Sequence, residues 1–279
     1  MNDNNQPNLA ETLARVLPKA ELVNTAGEFL QFAVPAGWTI KEVDIEKTLP
    51  APTRARATAE FGTKESFLDY IKRHASGHTV CWCDFDPQTF ALSFKAVLDD
   101  YAPGGVPAWR SHVAAYVPDL STEWKAWKGK DRSSFAQVAF AEWIQEHDED
   151  IATANGLPTS LQMLEMATNF VMNEERSLKS AVKLQSGGTR LTYIADPDTG
   201  TTEAMSVFER FALGIPVFHG GPAWSIGARL KYRNNGGKLS FSYELIRADR
   251  VHDGAAKELI AAVRDGLGSV PLMMGKCRG

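Results

Sequence analysis

The feature that most constrains the fold is the turn Asn234-Asn235-Gly236-Gly237, which lies between two segments of alternating apolar and polar residues. Asn and Gly tolerate positive φ, so Asn-Gly pairs favour the tight turn of a β-hairpin. We therefore predict strands at residues 223–233 and 238–247. The expected register pairs Arg233 with Lys238, Tyr232 with Leu239, Leu230 with Phe241, and Ala228 with Tyr243.

Side chains of a strand alternate between the two faces of its sheet, so this hairpin has one apolar and one basic face. The apolar face carries Leu230, Tyr232, Leu239, Phe241 and Tyr243. The basic face carries Arg229, Lys231, Arg233 and Lys238, with Arg247 and Arg250 nearby.

The order of elements along the chain indicates the fold class. Period-two patterns predict an antiparallel meander at 79–85, 91–101 and 109–117, and further strands at 28–34, 39–45, 180–184, 189–195 and 208–213. Helical patterns begin near Asn8, Thr63, Ser134, Thr159 and Gly254. Because strands do not alternate regularly with helices, we expect an α+β protein with antiparallel sheets in two lobes and a central helical block.

This pattern suggests three parts: an N-terminal α+β lobe at 1–132, a helical block at 133–176, and a C-terminal sheet with a terminal helix at 177–279. The two lobes can also form one domain. A hydrophobic fraction of 44% is typical of globular proteins, and no apolar run is long enough to cross a bilayer. The N-terminus does not resemble a secretory signal, so we expect a cytoplasmic protein without a membrane partner.

The basic hairpin face is the first candidate binding surface. Cations at alternate strand positions can follow a phosphate backbone or contact an acidic partner. The net charge of −4 gives no general attraction to nucleic acid, so any such binding depends on this local face. The alternative, a solvated sheet face on which Lys and Arg discourage edge pairing, is the more common arrangement.

A second candidate is a segment in which aromatic and basic residues are interleaved. It contains Trp109, Trp124, Lys125, Trp127, Lys128, Lys130 and Arg132. Such a segment can stack on unpaired bases, and we take Trp124, Trp127 and Lys128 as its candidate contacts. However, the spacing of three between Trp124 and Trp127 places both on one side of a helix, which favours burial in a core.

Metal binding has little support in the sequence. His78, Cys81, Cys83 and Asp84 lack the two C-x-x-C pairs of a typical zinc site, so we interpret Cys81 and Cys83 as small apolar residues of a buried strand. The acidic run at 146–150 does not have the spacing of a calcium loop, and we interpret it as a solvated helix end. We expect neither a bound metal nor a cofactor.

No catalytic motif is recognisable. His112, His219 and His252 could each act as a base, but spacing alone identifies no partner for them. The run at 213–221 is rich in glycine and could form the mouth of a pocket at His219, Gly220 and Gly221. A tight connection between strands explains the same glycines. We assign no catalytic residues and favour a protein that is not an enzyme.

Four segments carry a family resemblance. They are FALSFKAVLDDYAPGGVPAWRSHVAAYVP at 90–118, EWKAW at 123–127, FALGIPVFHGG at 211–221, and ARLKYRNNGGKLSFSYEL at 228–245. Together they resemble the YfdQ-like phage and prophage proteins (domain of unknown function 2303), over about residues 34–267.

The resemblance implies a temperate phage or prophage product made in the bacterial cytoplasm, and it implies no activity. Genes of this family tend to lie among early phage functions such as recombination and host takeover, which bears on context and not on chemistry. We therefore expect an accessory protein that self-associates and binds a macromolecule. The alternatives are a nucleic-acid-binding protein of phage recombination, replication or defence counteraction, a binder of a host or phage protein, and an enzyme with an unrecognised nucleotide-directed site.

Overall fold

A computed structural model describes residues 21–24, 31–33, 49–169, 190–195, 202–235 and 238–277. The chain divides into two compact units, residues 1–55 and residues 56–279. In the first unit, β1 (Glu21–Asn24) and β2 (Gln31–Ala33) form an antiparallel pair. All elements that follow belong to the second unit.

The first large sheet has five strands in the order β15-β4-β5-β8-β3. Its strands are β3 (Ala57–Phe61), β4 (Val80–Phe85), β5 (Leu92–Val97), β8 (His112–Tyr116) and β15 (Leu272–Met274). β4, β5 and β8 form an antiparallel meander, whereas β3 and β15 each add a parallel strand at an outer edge. We call this sheet I.

The second large sheet has four antiparallel strands in the order β12-β13-β14-β9. They are β9 (Phe135–Ala136), β12 (Arg210–Pro216), β13 (Ala223–Asn235) and β14 (Lys238–Leu245). We call this sheet II. Two smaller antiparallel pairs complete the strands: β6 (Tyr101–Ala102) with β7 (Val106–Pro107), and β10 (Arg190–Ala195) with β11 (Thr202–Val207).

Five α-helices are described, and side chains cap three of them. They are α1 (Lys64–His74), α2 (Thr122–Gly129), α3 (Gln137–Glu146), α4 (Ser160–Asn169) and α5 (Ala248–Leu267), with a 3-10 turn at Asp148–Asp150. The hydroxyls of Thr63, Ser121 and Thr159 each accept a hydrogen bond from the amide three residues later. Each cap satisfies a backbone donor that the first helical turn leaves unpaired.

One face of sheet I packs on α1 and α5. Cys83, Phe94 and Tyr116 lie side by side across three strands and are buried. Phe67 of α1 packs against the rings of both Phe94 and Tyr116. α1 and α5 then meet closely, because a Cβ at Gly266 of α5 would lie 2.4 Å from a methyl group of Leu68.

Trp127 of α2 fills the centre of the space under sheet II. Its side chain is fully buried and contacts the rings of Trp143, Phe211 and Tyr243. Its indole Nε1 donates a hydrogen bond to Asp150 Oδ2 at 2.7 Å, and Tyr243 donates its hydroxyl to the backbone oxygen of Trp127 at 2.8 Å. The buried polar groups of these two large aromatic residues are therefore satisfied.

The structure confirms the α+β class and the predominantly antiparallel sheets. It also confirms the meander, the helix capped by Thr63, the helix capped by Thr159, and the strands β10, β12, β13 and β14 close to their predicted positions. The three-part division stays a prediction. Residues 56–279 form one compact unit, in which both large sheets contribute to one hydrophobic cluster.

The predicted hairpin register is wrong by two residues. Lys238 pairs with Asn235 and not with Arg233, and Phe241 pairs with Tyr232 and not with Leu230. Asn235 therefore continues the strand, and only two residues separate the paired ends of β13 and β14. A shift of two leaves every side chain on its predicted face, so the apolar and basic faces are as expected.

Other expectations require correction. Phe135 was expected in a helix capped by Ser134, but it belongs to β9 and pairs with Phe241, and α3 begins at Gln137. α5 begins at Ala248, six residues before the predicted start. The parallel strands β3 and β15 were not anticipated. The predicted helix at 8–17 and the predicted strands at 39–45 and 180–184 lie outside the described residues.

The contact between α1 and α5 predicts an effect of Gly266→Ala. An added Cβ would displace the buried Leu68, and overpacking of this kind costs roughly 1–3 kcal/mol, more than the ~1 kcal/mol that Ala gains over Gly in a helix. We expect chemical denaturation to show net destabilisation. Gly129→Ala is the control, since a Cβ at this last residue of α2 meets nothing within 4 Å. Equal or greater stability of Gly266→Ala would contradict the packing described.

The bond from Trp127 to Asp150 predicts a difference between two variants at Asp150. Asp150→Ala leaves the buried indole N–H without its partner, which costs roughly 1–3 kcal/mol. Asp150→Asn keeps an acceptor oxygen and removes a carboxylate whose pKa is raised by burial. We expect denaturation at pH 7 to show a clear loss for Asp150→Ala and a smaller one for Asp150→Asn. Equal losses would show that the charge matters more than the hydrogen bond.

Candidate nucleic-acid interface and an adjoining cavity

The outer face of sheet II gathers the predicted basic residues. Arg229, Lys231 and Arg233 alternate along β13, about 6.8 Å apart given the rise of a strand, and all three are exposed. Lys238 lies on the same face of β14 and is exposed as well. Arg210 of β12 pairs directly with Arg229, so it adds a fifth cation to this face. We call these five residues the basic face.

Glu244 is an acidic residue of this face that was not among the predicted site residues. It pairs with Arg229 across the strands, and its carboxylate lies 2.8 Å from Lys231 Nζ and 2.8 Å from Arg132 Nη2. The hydrogen bond from Lys231, with the charges of Lys231, Arg132 and Arg229, lowers the pKa of the Glu244 carboxyl. One carboxylate thus faces several cations and offsets only part of their charge.

Arg132 is held beside the basic face by the backbone. Its amide donates to Tyr243 O at 2.8 Å, and the neighbouring Asp131 accepts the amide of Leu245 at 2.9 Å. Arg132 has a positive φ of 64°, which turns the chain against the edge of β14. Two other candidate cations differ: Arg247, named with the hairpin, pairs with Asp249, and Lys128, named with the aromatic segment, lies 3.7 Å from Asp131.

The stacking candidates Trp124 and Trp127 are not surface residues. Their side chains are 3% and 0% exposed, so neither ring face can stack on a base in this structure. The burial that their helical spacing favoured is what the structure shows. Trp109, by contrast, is 77% exposed, but it follows the β6–β7 pair and does not belong to sheet II.

The suggested metal residues are used in other ways. Cys81 and Cys83 point into the core, and burial raises the pKa of their thiols to about 12 and about 11. Asp84 pairs with Lys276 at 3.2 Å. Across the described part of the chain, no three His, Cys, Asp or Glu side chains are grouped to hold a metal. In the acidic run, Asp150 accepts the Trp127 indole bond and is therefore not simply solvated.

The three candidate histidines occupy different surroundings. His112 is buried, and its Nε2 lies 2.8 Å from the Tyr70 hydroxyl. His252 packs between the rings of Phe90, Trp124 and Phe218, where burial and then Lys128 lower its pKa. His219 is exposed on the connection between β12 and β13.

A cavity of about 190 Å³ opens beside this connection. His219, Gly220 and Gly221, the three residues suggested for a pocket mouth, are among those that line it. Gly220 has a positive φ of 69°, and a Cβ at Gly221 would lie 3.1 Å from the backbone oxygen of Phe218. This tight turn therefore requires glycine and brings His219 to the cavity.

Other parts of the lining come from distant segments. Six of the other residues that line the cavity are Lys64, Glu65, Tyr116, Phe218, Trp224 and Glu258. They lie on α1, β8, β12–β13 and α5, and no local spacing in the sequence links them. Trp224 is held against α5 because Gly254 leaves room for its indole: a Cβ there would lie 3.1 Å from the ring.

The comparisons with known proteins identify a family. Searches of curated proteins and of solved structures returned no match. Among the described residues, no helix has the length and apolar character needed to span a membrane. The family model of an uncharacterised conserved protein, DUF2303, matches residues 3–277 of the 279. Because this match covers nearly the whole chain, the protein belongs to the DUF2303 family.

Proposed function

We propose that this protein is a phage or prophage accessory protein of the bacterial cytoplasm that binds nucleic acid through the basic face and does not act as an enzyme. The observation that carries the binding is the set of five cations on the outer face of sheet II, with Arg132 beside them and Glu244 as the acidic partner. The phage context is supported by the resemblance of four sequence segments to YfdQ-like proteins.

The distribution of charge favours a polyanionic partner. The chain carries a net charge of −4, yet this one face concentrates positive charge. Nonspecific binding to nucleic acid arises mainly from cations that replace counterions along the phosphate backbone. A row of alternate residues on a flat strand can follow such a backbone without reading its sequence. We therefore expect weak sequence preference and strong dependence on salt.

Removing cations from the basic face tests this function. The variant Arg229→Gln, Lys231→Gln, Arg233→Gln should bind a single-stranded oligonucleotide at least ~10-fold more weakly at low salt, and the slope of log K against log salt should fall by roughly 2–3. Fluorescence anisotropy at two or more salt concentrations measures both. The control, Lys72→Gln, Arg73→Gln, Lys257→Gln, loses the same charge from exposed helix positions.

Glu244→Gln should change the affinity for nucleic acid in the opposite direction. It removes the carboxylate that offsets Lys231 and Arg132, so affinity should rise by a few-fold, with a steeper salt slope. Double-stranded DNA and RNA serve as competitors in the same assay. Absence of binding at low salt, or equal losses in the two triple variants, would rule out the basic face as the binding surface.

Self-association is the second part of the proposal. The edge strand β15 pairs with β4 on one side, and no strand in the described ranges covers its other side. Met273 and Met274 of this strand are 45% and 54% exposed. An exposed apolar edge strand is a surface through which copies can associate, and a lysine there opposes such pairing.

Light scattering after size-exclusion chromatography tests this contact. We expect an oligomer at micromolar concentration, shifted toward monomer by Met273→Lys, Met274→Lys. The control is Val138→Lys, Leu161→Lys, which changes two exposed apolar side chains on α3 and α4. A monomer at all concentrations, or an oligomer that only the control weakens, would contradict association through β15.

A further inference from the structure

The cavity beside the β12–β13 connection has a buried base and an exposed mouth. Among its lining residues, Tyr116, Val217, Phe218 and Ala255 are at most 7% exposed. Glu65, His219, Gly220 and Glu258 are exposed. Trp224 and Leu259 are intermediate and continue the apolar wall between the two. A ligand would therefore meet aromatic and aliphatic surface inside and polar groups at the mouth.

Tyr116 supplies the polar group at the base. Its side chain is 4% exposed and lines the cavity, and its hydroxyl forms no hydrogen bond with any residue in the described ranges. Burial raises the pKa of Tyr116 to about 12, so the hydroxyl is neutral and can donate or accept. A hydroxyl that opens onto the cavity and bonds none of the described residues is a place where a ligand can gain a hydrogen bond.

The mouth carries net negative charge. Lys64 Nζ lies 3.4 Å from Glu65 Oε1, so these two charges largely offset each other. Glu258 forms no ion pair with any described residue. The Thr63 hydroxyl is occupied, because it accepts from the Ser66 amide and donates to the Ser66 hydroxyl. Glu258 therefore favours a positively charged ligand group.

The volume limits the size of the ligand. A dry cavity of about 150 Å³ can hold a benzene molecule, and sites for drug-sized ligands begin at about 300 Å³. At about 190 Å³, this cavity suits one ring or two fused rings with a short substituent at the open mouth. A dinucleotide cofactor is too large for it.

We propose that the cavity binds a compact aromatic amine. Its ring lies between Phe218, Trp224 and Leu259, its polar ring atom bonds the Tyr116 hydroxyl, and its ammonium group faces Glu258. The site is separate from the basic face: Trp224 lies on the inner side of β13, whereas Arg229, Lys231 and Arg233 lie on the outer side. The two binding activities can therefore be tested independently.

Three indoles whose 3-substituents are cationic, neutral and anionic test the proposal. Tryptamine, 3-methylindole and indole-3-acetate are titrated into the ¹⁵N-labelled full-length protein, and amide shifts at residues 116, 217–224 and 255–262 report binding in the cavity. We expect tryptamine to bind most tightly and indole-3-acetate most weakly. No shift at these residues with any of the three at millimolar concentration would overturn the proposal, as would tighter binding of indole-3-acetate than of tryptamine.

Two conservative variants separate the roles of the polar groups. Tyr116→Phe should weaken both tryptamine and 3-methylindole by about 5–10-fold, the effect of one hydrogen bond. Glu258→Gln should weaken tryptamine by several-fold and leave 3-methylindole unchanged. Tyr101→Phe and Glu142→Gln make the same chemical changes at exposed positions outside the cavity. If neither cavity variant differs from its control, the proposed contacts are wrong.

Discussion

The enclosure of Trp127 beneath sheet II is the interaction on which the rest of the structure depends. This side chain contacts four other rings and donates its indole N–H to Asp150, and the backbone oxygen of the same residue accepts from Tyr243. The contacts link α2, the 3-10 turn and β14 around one buried point. A fully buried indole stabilises the folded protein by several kcal/mol only while its N–H has a hydrogen-bond acceptor. The inner face of sheet II is therefore occupied, and its outer face is left to meet other molecules.

The two sides of β13 consequently have different chemistry. Inward residues such as Leu230 pack in the core, and Trp224 reaches the cavity next to α5. The outward residues Arg229 and Lys231 are cations that share Glu244. The same alternation thus supplies an electrostatic surface and part of a small-molecule site, separated by the thickness of the sheet. A macromolecule on one side and a small ligand on the other need not compete for space.

The sequence predicted what depends on local pattern and missed what depends on distant contacts. Alternation placed Arg229 and Leu230 on opposite faces even though the register was displaced by two, because side-chain orientation repeats every two residues. The same alternation could also have placed Glu244 beside the cations, since Glu244 and Lys238 are an even number of residues apart and therefore lie on one face of the strand. The pairing of Phe135 with Phe241, the parallel strand β15 and the cavity that Tyr116 and Glu258 both line involve segments far apart in the chain, and no spacing rule encodes them.

The central claim is that the outer face of sheet II, and not the cavity, receives the phosphate backbone. The most direct measurement is a titration of the ¹⁵N-labelled protein with a single-stranded oligonucleotide at low salt, followed by amide shifts. We predict shifts concentrated at residues 225–233 and 238–244 that disappear as salt is raised. Shifts concentrated instead at residues 217–222 and 255–262, or none at either place, would contradict it.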